Sequence, residues 1–322
     1  MSRERKWIIT AAVLLVLGLM ICFVAFAALG FDYGKLSTVE YVSNTYDVPG
    51  AFRNISIDAD IEEISLVLSN DGSCRVLCHE EKDNPHNVSV QGDTLTIVKK
   101  NKQKWQFMCF GIITESPEIT VYLPDKAYEA LSIDTDTGSV DIPGDFTFET
   151  ISVRLDTGDA RCYASAEDNI YIETDTGDIA VSNLAAAGMR LASDTGRIEV
   201  SNVDLRGNID IREDTGRVTM KNVTCRNLSS YGDTGSLVMT NVIASGEWRI
   251  ERNTGDTELN GCDAENIYIE TDTGDVFGTL LSDKVFLTET SMGNVKVPMT
   301  VEGGRCEIST NTGDITIEII ND

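Results

Sequence analysis

The stretch Ile170-Tyr-Ile-Glu-Thr-Asp-Thr-Gly177-Asp-Ile-Ala-Val-Ser-Asn183-Leu184 decides the fold, because Met189-Arg-Leu-Ala-Ser-Asp-Thr-Gly196-Arg-Ile-Glu-Val-Ser-Asn202-Val203 restates it 19 residues later. The same phrase, most often Asp-Thr-Gly, places glycines at Gly138, Gly158, Gly177, Gly196, Gly216, Gly235, Gly255, Gly274, Gly293 and Gly313, always 19 or 20 residues apart. Counted from each glycine, apolar residues recur at −7 and −5 (Ile151/Val153, Ile209/Ile211, Trp248/Ile250) and at +2 and +4 (Val140/Ile142, Val218/Met220, Ile315/Ile317). A further apolar residue falls at +7 (Leu184, Val203, Val223, Val242, Leu281). Period-two pairs on both sides of a turn mean short strands, with alternate residues facing inward. A unit this short cannot bury its own apolar face, so stacked copies must share one core. The pattern predicts an all-β protein, a β-solenoid of stacked two-strand rungs.

The phrase itself reads as a corner. Asp accepts hydrogen bonds in turns and Gly takes positive φ without strain. The predicted turn residues are Asp136 and Gly138, Asp156 and Gly158, Asp175 and Gly177, Asp194 and Gly196, Asp214 and Gly216, Asp233 and Gly235, and Asp272 and Gly274. At +6, Asn183, Asn202, Asn222 and Asn241 stand on successive rungs, which predicts an internal ladder of stacked amides. Asp-Thr-Gly is also the signature of aspartic proteases, with Asp136 and Asp233 followed by Thr-Gly-Ser. That chemistry needs two facing aspartates around one water, whereas equivalent corners stack in line.

The 322-residue chain carries 52 Asp/Glu against 26 Lys/Arg, a net charge of −26. So acidic a surface argues against nucleic acid as a partner. Carboxylates one residue past the glycine, at Asp159, Asp178, Asp256 and Asp275, are weak candidates for calcium, but Arg197 and Arg217 interrupt the column with positive charge. No other metal ligand set, cofactor or catalytic residue is indicated. His79 and His86 are the only histidines, which disfavours histidine-based catalysis. A carbohydrate-active enzyme on a β-helix is a further alternative, and no carboxylate pair stands out for it. Among the eight cysteines, the Cys74–Cys78 pair permits a disulfide, and the rest read as small apolar residues.

Residues 1–6 form a basic tail. Residues 7–29 hold no charge over 23 positions, about 34 Å as a helix, which is enough to cross a bilayer core. This reads as a transmembrane anchor with a cytoplasmic N-terminus and an extracellular C-terminal domain. A cleaved signal peptide ending near Ala25-Phe-Ala27 is the rival. Residues 30–50 are a polar linker, 51–130 a strand-rich N-terminal part of the solenoid domain, and 131–322 the repeats. Gly92-Asp93 predicts a hairpin turn. Within Lys99–Glu115, four lysines precede Trp105, Phe107 and Phe110; this stretch reads as an insertion covering one end of the stack, with lipid or wall-polymer contact as the alternative.

The anchor, the lead-in ending Ile-Thr-Val-Tyr-Leu-Pro (residues 119–124) and the phrase Leu-Ser-Ile-Asp-Thr-Asp-Thr-Gly-Ser-Val (131–140), with its repeats, resemble the bacterial "putative adhesin" envelope proteins, including LiaG-like proteins, over roughly residues 52–322. The resemblance implies a β-solenoid outside the membrane and no catalytic residues. The expected function is a non-enzymatic, adhesin-like binding module or envelope-stress accessory whose ligand is a protein or cell-wall polymer. The alternative is a self-assembling scaffold that associates through an open solenoid end at Ile315–Asp322.

Overall fold

The computed structural model describes residues 3–28, 30–31, 40–100 and 116–320. The aromatic half of the Lys99–Glu115 insertion, Cys109 and residues 32–39 of the linker lie outside the described residues. The described chain is an apolar helix, Arg3–Ala28, followed by a β-solenoid. Within the helix, Ile9–Ala28 has a mean hydropathy of 2.8 and buries none of its surface in the protein, so it is long and apolar enough to cross a membrane.

Successive rungs pair in parallel and in register. Met189, Leu191, Ile198, Val200 and Val203 lie beside Ile209, Ile211, Val218, Met220 and Val223. All ten are buried. The +7 residues open a third paired segment of each rung, where Leu184–Ala186 run beside Val203–Leu205. A rung therefore has a leading side before the glycine, a middle side after it and a short third side. Alternation puts every second residue of each side into one continuous core. Leu281, expected at +7, is only half-buried. The ladder shifts register between Leu259 and Cys262, and this delivers Leu280 to the core instead.

Sharp corners join the sides. At Gly196 φ is +153°, and a Cβ there would lie 1.9 Å from the carbonyl oxygen of Gly177 one rung below. Asn183, Asn202, Asn222 and Asn241 turn the next corner with φ between 51° and 57°, in the left-handed region that asparagine tolerates best among residues with side chains. Their amides form a chain, in which Nδ2 of Asn202, Asn222 and Asn241 each donates to the Oδ1 of the rung before it at 2.8–3.0 Å. This chain runs along the outside of the corner, exposed to solvent, and is not internal. A left-handed corner residue points its side chain away from the core.

One inward column, three residues before the glycine, is polar. Thr174 and Ser193 donate their hydroxyls to the carbonyls of Gly158 and Gly177. In the same column Glu213, Gly232 and Arg252 occupy consecutive rungs. Gly232 leaves room for Arg252 to reach across it, and Nη1 meets Glu213 Oε2 at 3.0 Å with both side chains fully buried. Burial pushes the Glu213 carboxyl up and the Arg252 guanidinium down from their ordinary values, so desolvation outweighs the mutual attraction.

The two ends of the stack differ. At the N-terminal end, strand Asn54–Ala59 pairs in parallel with Ala130–Thr135, and Glu63–Leu68 lies against Val140 and Asp141. Thr94–Lys99 and Glu118–Leu123 continue the parallel ladder on these two strands, and beyond them it turns antiparallel: His86–Gln91 folds back on Thr94–Lys99 through a two-residue turn, Arg75–His79 pairs with Glu118–Tyr122, and Tyr41–Asp47 pairs with Arg75–Glu81. Cys74 and Cys78 are free buried thiols, not a disulfide.

At the C-terminal end the sequence order is inverted. Strand Gly304–Thr312 lies between Tyr268's strand and Lys284–Met292, and Ile315–Ile319 pairs with both Val276–Leu280 and Val295–Lys296. Of the expected open edge at 315–322, the strand Ile315–Ile319 is therefore interior to the stack, and residues 321–322 lie outside the described residues. The outermost rung is residues 284–296, with Leu287 48% and Met292 67% exposed.

Gly196→Ala forces a Cβ into a backbone carbonyl and is expected to cost about 3 kcal/mol or more in denaturant unfolding. Asp194→Asn on the same corner should stay within about 0.5 kcal/mol, and equal effects would refute the steric account. For the buried pair, Glu213→Ala alone should cost about 3–5 kcal/mol, while Glu213→Gln with Arg252→Met should be close to neutral. Because the Glu213 pKa is raised by folding, its contribution weakens as pH rises above the ordinary carboxylate range. Glu213→Gln should flatten that part of the stability–pH curve.

Candidate functional site

The outward residues of the leading side, six and four places before each glycine, form two columns on a flat parallel sheet. Register sets Tyr171 beside Arg190, Arg190 beside Asp210, Arg212 beside Tyr231 and Arg249 beside Tyr268. Three tyrosines thus sit among arginines on one face of an otherwise acidic molecule. Arg212 lies 5.7 Å from the Tyr231 ring centre, and Arg305 lies 5.8 Å from that of Tyr268. Arg154–Glu173 and Arg249–Glu251 ion pairs, at 3.3 and 2.7 Å, hold other guanidiniums on this face.

The face dips where the leading side meets the third corner. Ala187, Gly188 and Gly207 are small, and Asn169, Tyr171, Met189, Arg190, Asn208 and Arg226 surround them in a shallow recess of about 380 Å³. Tyr171 is 44% exposed. A Cβ at Gly188 would come within 2.6 Å of Asn169 Oδ1, so a larger residue there would displace that amide. An exposed ring, two guanidiniums and two side-chain amides suit a hydroxylated or anionic ligand held by stacking and charge-assisted hydrogen bonds. The sequence reading followed inward positions and missed this face. Its signal was present in the outward positions, where Tyr171, Tyr231 and Tyr268 fall six or four places before a glycine.

The corner aspartates are arranged differently from the expectation. Asp136, Asp156, Asp175, Asp194, Asp214, Asp233 and Asp272 form an exposed column. Asn253 and Asn311 donate to Asp233 and Asp272 at 2.7 and 2.9 Å. Partial desolvation, and then repulsion from Asp214, Asp175 and Glu173, raises the Asp194 pKa. The carboxylates that accept backbone N–H groups lie one residue past the glycine. Asp159 accepts from Asp178 N, Asp178 from Arg197 N, Asp256 from Asp275 N and Asp275 from Asp314 N, at 2.8–3.0 Å. The Arg197 guanidinium also clamps Asp178 and, through its hydrogen bond, holds that carboxyl below the usual range. The four calcium candidates thus spend oxygens on joining rungs.

A second polar group sits inside the N-terminal end. Cys78 and Glu80 share one face of a strand and meet His86 from the next strand, all buried. Glu62 and Lys99 adjoin them, with Lys99 Nζ 3.0 Å from Glu62 Oε1. Burial opposes the Glu62 charge, but Lys99 more than offsets it and the carboxyl stays below its ordinary value. Sequence reasoning missed this group, because Cys-x-Glu marks a shared strand face only once the strand is placed and the histidine comes from across a turn.

Among solved structures, the chain is similar to a "putative adhesin" from Bacteroides fragilis, at 14% identity and a TM-score of 0.34, covering 87% of this chain and 97% of that one. It is similar to a "putative adhesin" from Parabacteroides distasonis, at 12% identity and a TM-score of 0.45, covering 87% and 98%. It is also similar to a "putative lipid binding protein" from the same species, at 13% identity and a TM-score of 0.40, covering 73% and 94%. No curated protein matches the chain. Family matches cover residues 52–214 and 206–322, so nearly the whole solenoid is accounted for, and the chain belongs to the Toastrack DUF4097 family.

Proposed function

We propose that this protein is a cell-surface binding module without catalytic activity, held by its N-terminal helix as a single-pass anchor with the solenoid outside the cell. The observation that carries the reading is the Tyr171–Arg190–Arg226 recess on an in-register parallel sheet face. It offers a stacking ring, fixed amides and positive charge, and its shallowness suits a long chain lying across it better than an enclosed small molecule. The ligand class that fits is an acidic or hydroxyl-rich cell-wall polymer, which accords with the adhesin-like or envelope-stress role expected from the sequence. A binding role also accords with the chemistry of the face. His86 is buried, and the aspartates of the corner phrase stack in line instead of facing one another across a shared water. The domain boundaries that go with this reading are a basic tail at 1–6, an anchor at 7–29, a linker at 30–50, a strand-rich part at 51–130 and the repeats at 131–322.

Self-association through the solenoid end is a second reading, favoured by the apolar side chains on the outermost rung at residues 284–296. Mass photometry of the full chain in detergent over a concentration series tests it, and a strict monomer would exclude it.

For the main reading, purified anionic wall polymer should bind the full chain with an affinity that falls as salt rises. Tyr171→Ala and Arg190→Glu should each weaken it at least ~10-fold, the equivalent of about 1.4 kcal/mol, with unchanged melting temperature. Phe277→Ala, on the middle side, should bind normally. Equal affinity of all variants would remove the recess from consideration. Protease added to intact cells should digest the solenoid and spare the basic tail; protection of the solenoid would overturn the topology.

A further inference from the structure

The buried group at the N-terminal end has an arrangement that its structural role does not require. Glu80 is saturated. Its Oε1 accepts from Tyr46 Oη at 2.6 Å and Asn44 Nδ2 at 2.7 Å. Its Oε2 accepts from the His86 backbone N–H and from His86 Nδ1, both at 2.5 Å. A carboxylate only accepts, so Nδ1 carries the proton of that bond. In a neutral imidazole this leaves Nε2 as a bare lone pair. Nε2 is buried without a hydrogen-bond partner, and it faces Glu62 Oε1 at 3.5 Å with both side chains almost wholly enclosed. A lone pair opposite a carboxylate is repulsive. Lys99 Nζ, 3.0 Å from the same Glu62 oxygen, offsets the carboxylate charge but gives Nε2 no donor, and the gap at Nε2 itself calls for a cation.

A proton on Nε2 is one solution, and a metal ion is the other. Two observations favour the metal. The first is Cys78: ligand atoms of Cys78, Glu80 and His86 lie within 4.8 Å of one another, and a proton on the ring needs no thiol. The second is the form of the Glu80–His86 bond, since a carboxylate that fixes the ring through Nδ1 and presents Nε2 is how metal-ligating histidines are oriented. We infer that Cys78 and His86, with Glu80 orienting the imidazole and Glu62 facing Nε2, form a site for one divalent transition-metal ion of the zinc type.

Sulfur and imidazole ligands select such an ion over calcium or magnesium. Glu62, Glu80 and a Cys78 thiolate are opposed by the ion and by Lys99, whose ammonium also lies 3.6 Å from Asp60 Oδ2. On binding, the Cys78 S–H bond breaks, its proton goes to solvent, and a metal–sulfur bond forms. Binding releases the thiol proton, so affinity should fall as pH falls. The site ties the strands bearing Cys78 and His86 to the Glu62 corner, and would lock the cap onto the first rung.

The test is a titration of the chelator-stripped full chain, in detergent, with Co²⁺ followed by Zn²⁺. The expected result is one equivalent of cobalt, a thiolate-to-cobalt charge-transfer band that zinc removes, and a chelator-reversible rise in melting temperature. Cys78→Ser should abolish the band, Glu80→Gln should weaken binding ~10–100-fold, and Cys306→Ser, at a distant buried thiol, should leave it intact. A folded wild-type chain that takes up no cobalt and shows no metal-dependent melting shift would overturn the assignment in favour of a protonated His86. So would a band that survives in Cys78→Ser. The wild-type measurement decides even if a variant fails to fold.

Discussion

The structure depends on a contact between backbones. At each leading corner after Gly138, which sits over the Glu62 carbonyl, a glycine sits directly over the carbonyl of a neighbouring rung's glycine, and the space a Cβ would need is already filled by oxygen. For Gly216 that separation would be 1.7 Å, and for Gly274 2.1 Å. Everything else follows from this close stacking. It fixes the rung spacing at the corner, and the strands on either side are then held in register. Register in turn decides which residues face inward. The glycine N–H groups of most rungs donate to the threonine carbonyl of the next rung, as Gly177 does to Thr195 at 2.9 Å, so the corner is also a hydrogen-bonded column. The aspartate after the glycine extends that column where ordinary pairing lapses.

Once corners are rigid, variation moves to the columns between them. The inward column before the corner shows how. Hydroxyls there bond the carbonyl of the rung below, and the Glu213–Gly232–Arg252 run replaces three small polar residues by a buried ion pair reaching over a glycine. The outward columns vary without structural penalty, and this is where tyrosine and arginine gather. A solenoid separates the two tasks. Inward residues and corners keep the fold, and outward residues are free to take on a ligand.

The parts that were legible in the sequence were those with a short period. Alternation at −7, −5, +2 and +4 needs only neighbouring residues, so the core positions of the leading and middle sides could be read directly. The solenoid followed from a unit too small to bury itself. What could not be read depended on contacts with no period. The inverted order of the last rungs is invisible because Val295 and Ile315 carry the same pattern at the same place in the repeat. The outward direction of the asparagine chain depends on φ at the corner, which stacking alone does not reveal. The N-terminal polar group depends on antiparallel pairing between strands that no repeat relates, and Cys78, His86 and Glu62 look unremarkable until those strands are placed.

The ends bear on what the molecule can become. A solenoid grows into a filament only if one end continues the parallel ladder presented by the other. Here the C-terminal end presents a parallel rung with exposed apolar side chains. The N-terminal end presents antiparallel strands, Tyr41–Asp47 on one side and His86–Gln91 on the other, so its edge does not repeat the rung pattern. Stacking of copies in register would therefore stop at two, through like ends. The unlike ends thus weigh against a filament and leave the sides of the solenoid as the surfaces for contact.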